Sequence, residues 1–233
     1  MTTPAPMEVL RRGTVTIHGR VVGSSNITLL ATSALDGADL LAIYKPVSGE
    51  RELWDFPPGL HRRELAAYLL SELLGLGFVP ETVLRADAPF GEGSLQRVVE
   101  EDGESHYFTL REDERWHPEL RRIAAFDVIV NNADRKSGHV LLADDRLWAI
   151  DHGLTFHCEP KLRTVIWDFV GDPLDDALSS SLERLVTDRL PDALARLVDR
   201  DEQRALVGRA RALLRIGRLP GPDTGRPYPW PLV

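Results

Sequence analysis

The chain has 233 residues, 43% of them hydrophobic and 27% charged, with a formal net charge of -8; that is enough for one domain with a full core or for two small lobes around a cleft, and the acidic balance excludes the basic footprint of a nucleic-acid binder. No apolar run reaches the roughly 18 residues of a membrane span, and no apolar leader opens the chain. Cys158 is the only cysteine, which excludes an intrachain disulfide or a cysteine metal cluster and points to the cytoplasm.

In chain order, residues 1–6 read as a loose start. Residues 14–22 are rich in β-branched side chains and predict a strand. The turn cluster Gly23-Ser24-Ser25-Asn26 follows, and a second strand resumes over 27–31. A third strand covers 40–45 and is closed by Pro46 and a polar stretch. Leu65, Leu69 and Leu73, spaced four apart, predict a helix over 61–74, with Gly75 and Gly77 beyond its end. Two further strands are expected at 79–85 and 94–99, split by a loop holding Pro89, Gly91 and Gly93. Pro118 then opens a helix running to about residue 130. Short apolar runs follow at 140–142 and 147–150, helix starts at Asp172-Pro173, Leu190-Pro191 and Asp201, and a proline- and glycine-rich tail over 219–233. A strand-rich first half and a helix-rich second half predict an α+β protein with a cleft between two lobes, residues 1–100 and 101–233.

Four pieces of this pattern carry candidate chemistry. Small residues at Gly23, Ser24 and Ser25 let backbone N–H groups approach a phosphate, although a plain hairpin turn looks the same. Lys45 ends the apolar strand AIYKP, from which it can reach a nucleotide's phosphates; a solvated lysine at a strand end is the alternative. Because Lys45, Lys136 and Lys161 are the only lysines, each one is worth inspecting. Glu64 lies in the first turn of its helix, suited either to pairing with that lysine or simply to the helix dipole, with Arg62 and Arg63 as competing partners. Asp134 sits in a polar loop after an apolar helix, and Asp151 directly follows the apolar WAI. Loop aspartates are commonly turn formers, but an acid behind WAI is expected to be partly buried and to need a partner. One such acid can orient a hydroxyl and the other can hold a metal.

Together the pieces resemble the catalytic domain of phosphoinositide 3- and 4-kinases, including type II phosphatidylinositol 4-kinases and the HipA-like kinases, and the sequence also resembles an uncharacterised actinobacterial kinase-like family. GSSNITLLA resembles the phosphate loop, AIYKP the strand with the ATP lysine, RELAAYLLSELLGLGFVPET the glutamate helix and its continuation, NADRKSGH the catalytic loop, and AIDHGL the metal-binding segment. The resemblance implies an atypical two-lobed kinase-like fold that uses ATP and Mg2+ or Mn2+. Lys45 and Asp134 are then catalytic, and Gly23, Ser24, Ser25, Lys45, Glu64 and Val99 bind nucleotide, with adenine against residues 98–101. Asp151 holds the metal, while Asp127 and Asn132 support the loop. One position departs: the family's metal-binding asparagine, five residues after the catalytic aspartate, is here His139. Either His139 joins Asp151 as a metal ligand, with manganese favoured, or it braces the loop backbone. As a ligand it predicts activity falling as pH drops through about 6.5.

The implied function is ATP-dependent phosphotransfer. An ATP-binding pseudokinase that regulates a partner and a nucleotidyl transferase on the same fold remain open. The chain lacks a dense basic block, so a protein or small soluble acceptor is expected over a membrane lipid, which is not excluded. The stretch ELWDFPPG after Lys45 reads as a lid on the glutamate helix or as an acceptor-binding element.

Overall fold

The computed structural model describes residues 4–24, 26–101, 103–223 and 225–233. β-Branched and apolar residues form Thr14–Arg20 (β1), Leu29–Leu35 (β2) and Ala38–Pro46 (β3). Asp36 and Gly37, both at positive φ, close the β2–β3 hairpin in a two-residue turn; such turns match the right-handed twist of the strands they join. Thr82–Ala88 (β4) and Gly91–Arg97 (β5) complete an antiparallel sheet in the order β1-β2-β3-β5-β4. The last two strands lie closer together than the pattern suggested, so Gly91 and Gly93 belong to β5 and not to a loop. Gly93 is required there because β3 passes so near that a Cβ would sit 2.4 Å from the Lys45 carbonyl oxygen.

One face of the sheet is covered by a short helix that the pattern did not reveal, Pro6–Arg12 (α1). Pro6 opens it without losing a needed hydrogen bond. Leu10 packs with Leu29, Ala31, Tyr44, Val83 and Leu95. Arg85 reaches across to donate to the carbonyls of Leu10 and Gly13 at the helix end, both at 2.9 Å.

The other lobe is helical: Tyr107–Leu110 (α3), His117–Val130 (α4), Asp176–Thr187 (α5), Asp192–Ala195 (α6) and Arg200–Ile216 (α7), with the small hairpin Val140–Ala143 (β6) and Arg146–Ala149 (β7). The expected helix start at Asp172-Pro173 is corrected. Pro173 pairs with Arg218 in a β-bridge, and Arg121 holds Asp172 at 2.6 Å. Asp175 is the residue whose carboxylate accepts the Leu178 N–H and caps α5.

The helix Leu60–Leu73 (α2) joins the lobes. Ala66, Ala67, Leu70 and Leu74 pack into the large core of the helical lobe, which is built around Ile123, Phe126, Phe156 and Leu206. Two polar contacts fix its first turn. The Glu50 carboxylate accepts the N–H groups of Gly59 and His61, each at 3.0 Å, supplying the cap that Gly59 lacks. Burial pushes that carboxyl up, but these bonds and the His61 ring hold it down at about 2. Arg63 is buried, ion-paired to Glu202 of α7 at 2.5 Å and bonded to the Thr155 carbonyl at 2.7 Å. Replacing Arg63 by Met leaves Glu202 buried without its partner and is expected to cost about 3 kcal/mol in chemical denaturation. The double replacement of Arg63 and Glu202 by Met should recover most of that loss, and equal losses in both would argue against the pair.

Candidate functional site

Strand alternation decides where Lys45 points. Ala42 and Tyr44 enter the sheet core, so Lys45 emerges on the opposite face. Its ammonium is ion-paired with Glu64 of α2 and donates to Asp151 Oδ1 at 2.8 Å. Burial lowers its pKa, and the two carboxylates more than offset that, so the ammonium is held above its ordinary range. Glu64 is buried, and its second oxygen accepts the His152 N–H at 3.0 Å. Neither neighbouring arginine competes: Arg63 turns to Glu202, and Arg62 to Glu92 at 3.9 Å.

Asp151 owes its placement to the end of β7. Ile150 donates its N–H to the His139 carbonyl at 3.0 Å, and Asp151 then adopts the left-handed conformation, φ 58°. This turns its carboxylate out of the strand line and into the cleft, where it stays half exposed. Burial raises its pKa, but Lys45 and His139 pull it well below the usual carboxylate value.

Asp134 lies in the loop after α4. Its own N–H donates to Asn132 Oδ1 at 3.0 Å, and Lys136 Nζ lies 3.4 Å from its carboxylate. Burial, helped by the nearby Asp151 charge, lifts its pKa to about 6 despite Lys136. Each lysine of the chain is thus paired with an acid, for Lys161 lies 3.5 Å from Asp55.

His139 sits between the two acidic segments. Its Nδ1 accepts the Lys136 N–H at 3.4 Å, and its Nε2 faces Asp151 Oδ2 at 3.5 Å. Burial pushes its pKa down to about 4 in spite of Asp151, so the ring is neutral at physiological pH. That corrects the expected histidine midpoint of 6.5.

Arg135 is the functional residue that sequence reading passed over. It is fully buried, and its guanidinium grips Asp127 at 3.0 Å. The same fork donates to the carbonyls of His139 (3.2 Å) and Ile150 (2.7 Å) and to His152 Nε2 (2.8 Å). Asp127 also accepts from Asn132 at 2.9 Å. Asp127 and Asn132 therefore lie beneath the loop and make no contact with the cleft. Burial and the Arg135 charge keep His152 neutral. One arginine thereby holds the carbonyl before Asp151 and the side chain after it, and ties both to the loop of Asp134. Its position beside Asp134 was the only clue in the sequence.

In the phosphate-loop segment, Gly23 takes φ 92° with open space around it. The Ser24 hydroxyl faces its own loop, 2.9 Å from the Asn26 carbonyl oxygen. Ser25 lies outside the described residues. Val99 is buried with Leu141, Ala143 and Trp148. The stretch after Lys45 folds down so that Phe56 packs on Leu60, Ala133 and Leu154, leaving Trp54 96% exposed at its tip. Among the described residues, no three histidine, cysteine or acidic side chains converge as a complete metal site. A cavity of about 400 Å3 elsewhere is lined by Arg121, Arg122, Asp172 and Asp175; Lys45, Glu64, Asp134, His139 and Asp151, all with perturbed pKa values, converge in the open cleft instead and mark it as the candidate site.

Along 96% of its length the chain is 40% identical, over 261 aligned positions, to Protein Rv2133c of Mycobacterium tuberculosis, of which it covers 94%. It belongs to the family of that protein. No family model matches the chain. Among solved structures, the Golgi casein kinase with Mn/ADP bound matches with a TM-score of 0.60 at 13% identity, over 94% of this chain and 79% of that one. Hydra Fam20 with sugar matches with a TM-score of 0.57 at 13% identity, over 90% and 86%. At such identities the likeness is one of fold, and it establishes an atypical, two-lobed kinase-like architecture for this family member. Among the described residues, no helix is long and apolar enough to cross a membrane.

Proposed function

We propose that the chain is an ATP-dependent phosphotransferase with a divalent cation as cofactor, acting on a protein or small soluble acceptor. The observation that carries this reading is the Lys45 ammonium held between Glu64 and Asp151, with Asp134 close by. The proposed lobes are residues 1–100 and 101–233, with adenine against 98–101 over Val99. The narrower affiliation with phosphoinositide kinases rests on the motifs at Lys45, Asp134 and Asp151. The neighbouring Golgi casein kinase, crystallised with Mn/ADP, supports the nucleotide and the ion.

In this reading Lys45 stays on Glu64 and exchanges Asp151 for the nucleotide's phosphates, which frees Asp151. Gly23, in open space, and the backbone of Ser24 would approach the phosphates. The donor set suits a cation that completes its coordination with phosphate oxygens and water. Asp151 Oδ2 and His139 Nε2 are 3.5 Å apart, near the roughly 3 Å between adjacent ligands of a small octahedral ion. These two residues would hold the cation, which supplies charge neutralisation at the phosphates. To serve as a ligand His139 must carry its proton on Nδ1 and give up the long Lys136 contact. Titration of ADP into the wild type and Lys45→Met, with and without Mn2+, tests the site. Metal-dependent binding that weakens at least about tenfold in the variant is expected; binding indifferent to both metal and Lys45 would sink the reading.

Asp134 orients the acceptor hydroxyl and accepts its proton, so it must be ionised. Its raised pKa predicts turnover that rises with pH through about 6 and is level above it. With His139 neutral down to about 4, no second limb is expected at 6.5, and Asp134→Asn should remove the limb at 6 along with most of the rate. A profile unchanged between pH 5 and 8 would dismiss Asp134 as the base.

The pseudokinase reading draws on one observation. With Nδ1 accepting from Lys136, the neutral ring presents Nε2–H to Asp151, which is the arrangement of a brace. His139→Asn separates the two. As a ligand position it is expected to shift preference from Mn2+ toward Mg2+ severalfold; an unchanged metal preference in ATP consumption assigns His139 to bracing.

A further inference from the structure

The proline-rich tail is not a free end. After Leu219 it runs back along the helical lobe without regular structure and lies against the catalytic loop. The Pro227 carbonyl accepts the Thr164 N–H at 3.0 Å and the Trp167 indole N–H at 3.2 Å. Five residues on, the Leu232 carbonyl accepts the Ser137 N–H at 2.9 Å. Pro229, between the anchors, is buried.

The floor of this groove belongs to the site. Ser137 lies three residues beyond Asp134 and is fully buried, and its hydroxyl makes no hydrogen bond among the described residues. Thr164 pairs with Arg135 in a parallel bridge and lies 3.3 Å from Asp127, the acid that Arg135 grips. The groove therefore presents two preset backbone donors, on Thr164 and Ser137, to carbonyls five residues apart in the docked chain, with a slot between them that takes a proline. The tail fills it loosely. Tyr228, Trp230 and Val233 remain largely exposed, so the strap buries little apolar surface of its own and belongs to the readily opened part of the molecule.

We propose that this groove is a docking surface for a proline-containing polypeptide, occupied in cis by residues 226–232. The docking stands apart from the phosphotransfer reading; joined to it, the docked chain is the acceptor's, and the tail competes with it for the approach to Asp134.

The test uses a fluorescein-labelled peptide of residues 225–233, the full chain, and a chain ending at Pro220, followed by anisotropy. A tethered tail acts at an effective concentration of order millimolar, so the peptide is expected to bind the shortened chain at least about tenfold more tightly than the full one. A peptide with Pro229→Asp should not bind. Equal binding to both chains, or none to a shortened chain that still melts cooperatively, overturns the proposal. If the shortened chain does not fold, full-length Pro229→Asp takes its place: it should bind the peptide at least about tenfold more tightly than the wild type, and equal binding overturns the proposal equally. ADP and Mn2+ titrated into the same samples report the nucleotide site separately, so loss of nucleotide binding alone would count against phosphotransfer and leave the groove standing.

Discussion

Asp151→Asn is expected to lower metal-dependent ATP consumption by roughly 10^3-fold with either Mg2+ or Mn2+, the scale on which a preorganised charge contributes at a reacting centre. Asn is the informative choice because Asp151 sits at φ 58°, a conformation Asn tolerates and Ala resists at about 1–2 kcal/mol. Asn therefore preserves the backbone while removing the anion. Asp151→Ala should lose turnover as completely and also melt earlier, whereas Asn should melt near the wild type. The carboxylate also holds Lys45 in the nucleotide-free protein, so its loss should leave Lys45 paired with Glu64 alone and leave ADP binding without metal unchanged or slightly tighter. Activity retained within tenfold in Asp151→Asn, with either ion, would remove Asp151 from the proposed chemistry.

The parts of this site that were legible in the sequence are those in which a charged residue adjoins an apolar strand or sits on a periodic helix. Lys45 after AIY and Asp151 after WAI are such positions, because a strand end fixes both direction and burial. The helix carrying Glu64 was legible from its four-residue leucine spacing. What could not be read depends on partners far apart in the chain. Arg63 pairs with Glu202, and nothing local to either residue announces the other. The α1 helix is too short for a periodic signal, and its role comes from Leu10 and from the Arg85 contacts that hold its end. Asp172-Pro173 carried a helix-start signature, yet Arg121 and the bridge to Arg218 claimed it. The tail, judged only by its prolines and glycines, gave no sign that its carbonyls meet Ser137 and Thr164.

Arg135 shows the same limit most sharply and carries the largest expected effect on the fold. Its partners come from three segments: Asp127 at the end of α4, the His139 carbonyl, and the Ile150 carbonyl and His152 ring after β7. Arg135→Met would leave Asp127 fully buried with no cation against it and would take from the Ile150 carbonyl its donor. An uncompensated buried charge costs about 3–5 kcal/mol, and the stranded Ile150 carbonyl places this variant at the upper end of that range. With total stabilities of about 5–15 kcal/mol, a variant that folds only marginally at 37 °C is expected. Arg135→Lys keeps the charge but loses the planar fork that reaches Asp127 and both carbonyls together, so its loss should be intermediate. The decisive measurement is a double-mutant cycle in urea. Asp127→Leu alone should be strongly destabilising because it strands the guanidinium, and Asp127→Leu with Arg135→Met should cost far less than the sum of the single changes. Additive losses, or a loss below about 1 kcal/mol for Arg135→Met, would show that Asp151 and the loop of Asp134 are held by other contacts and that Arg135 is a buried spectator.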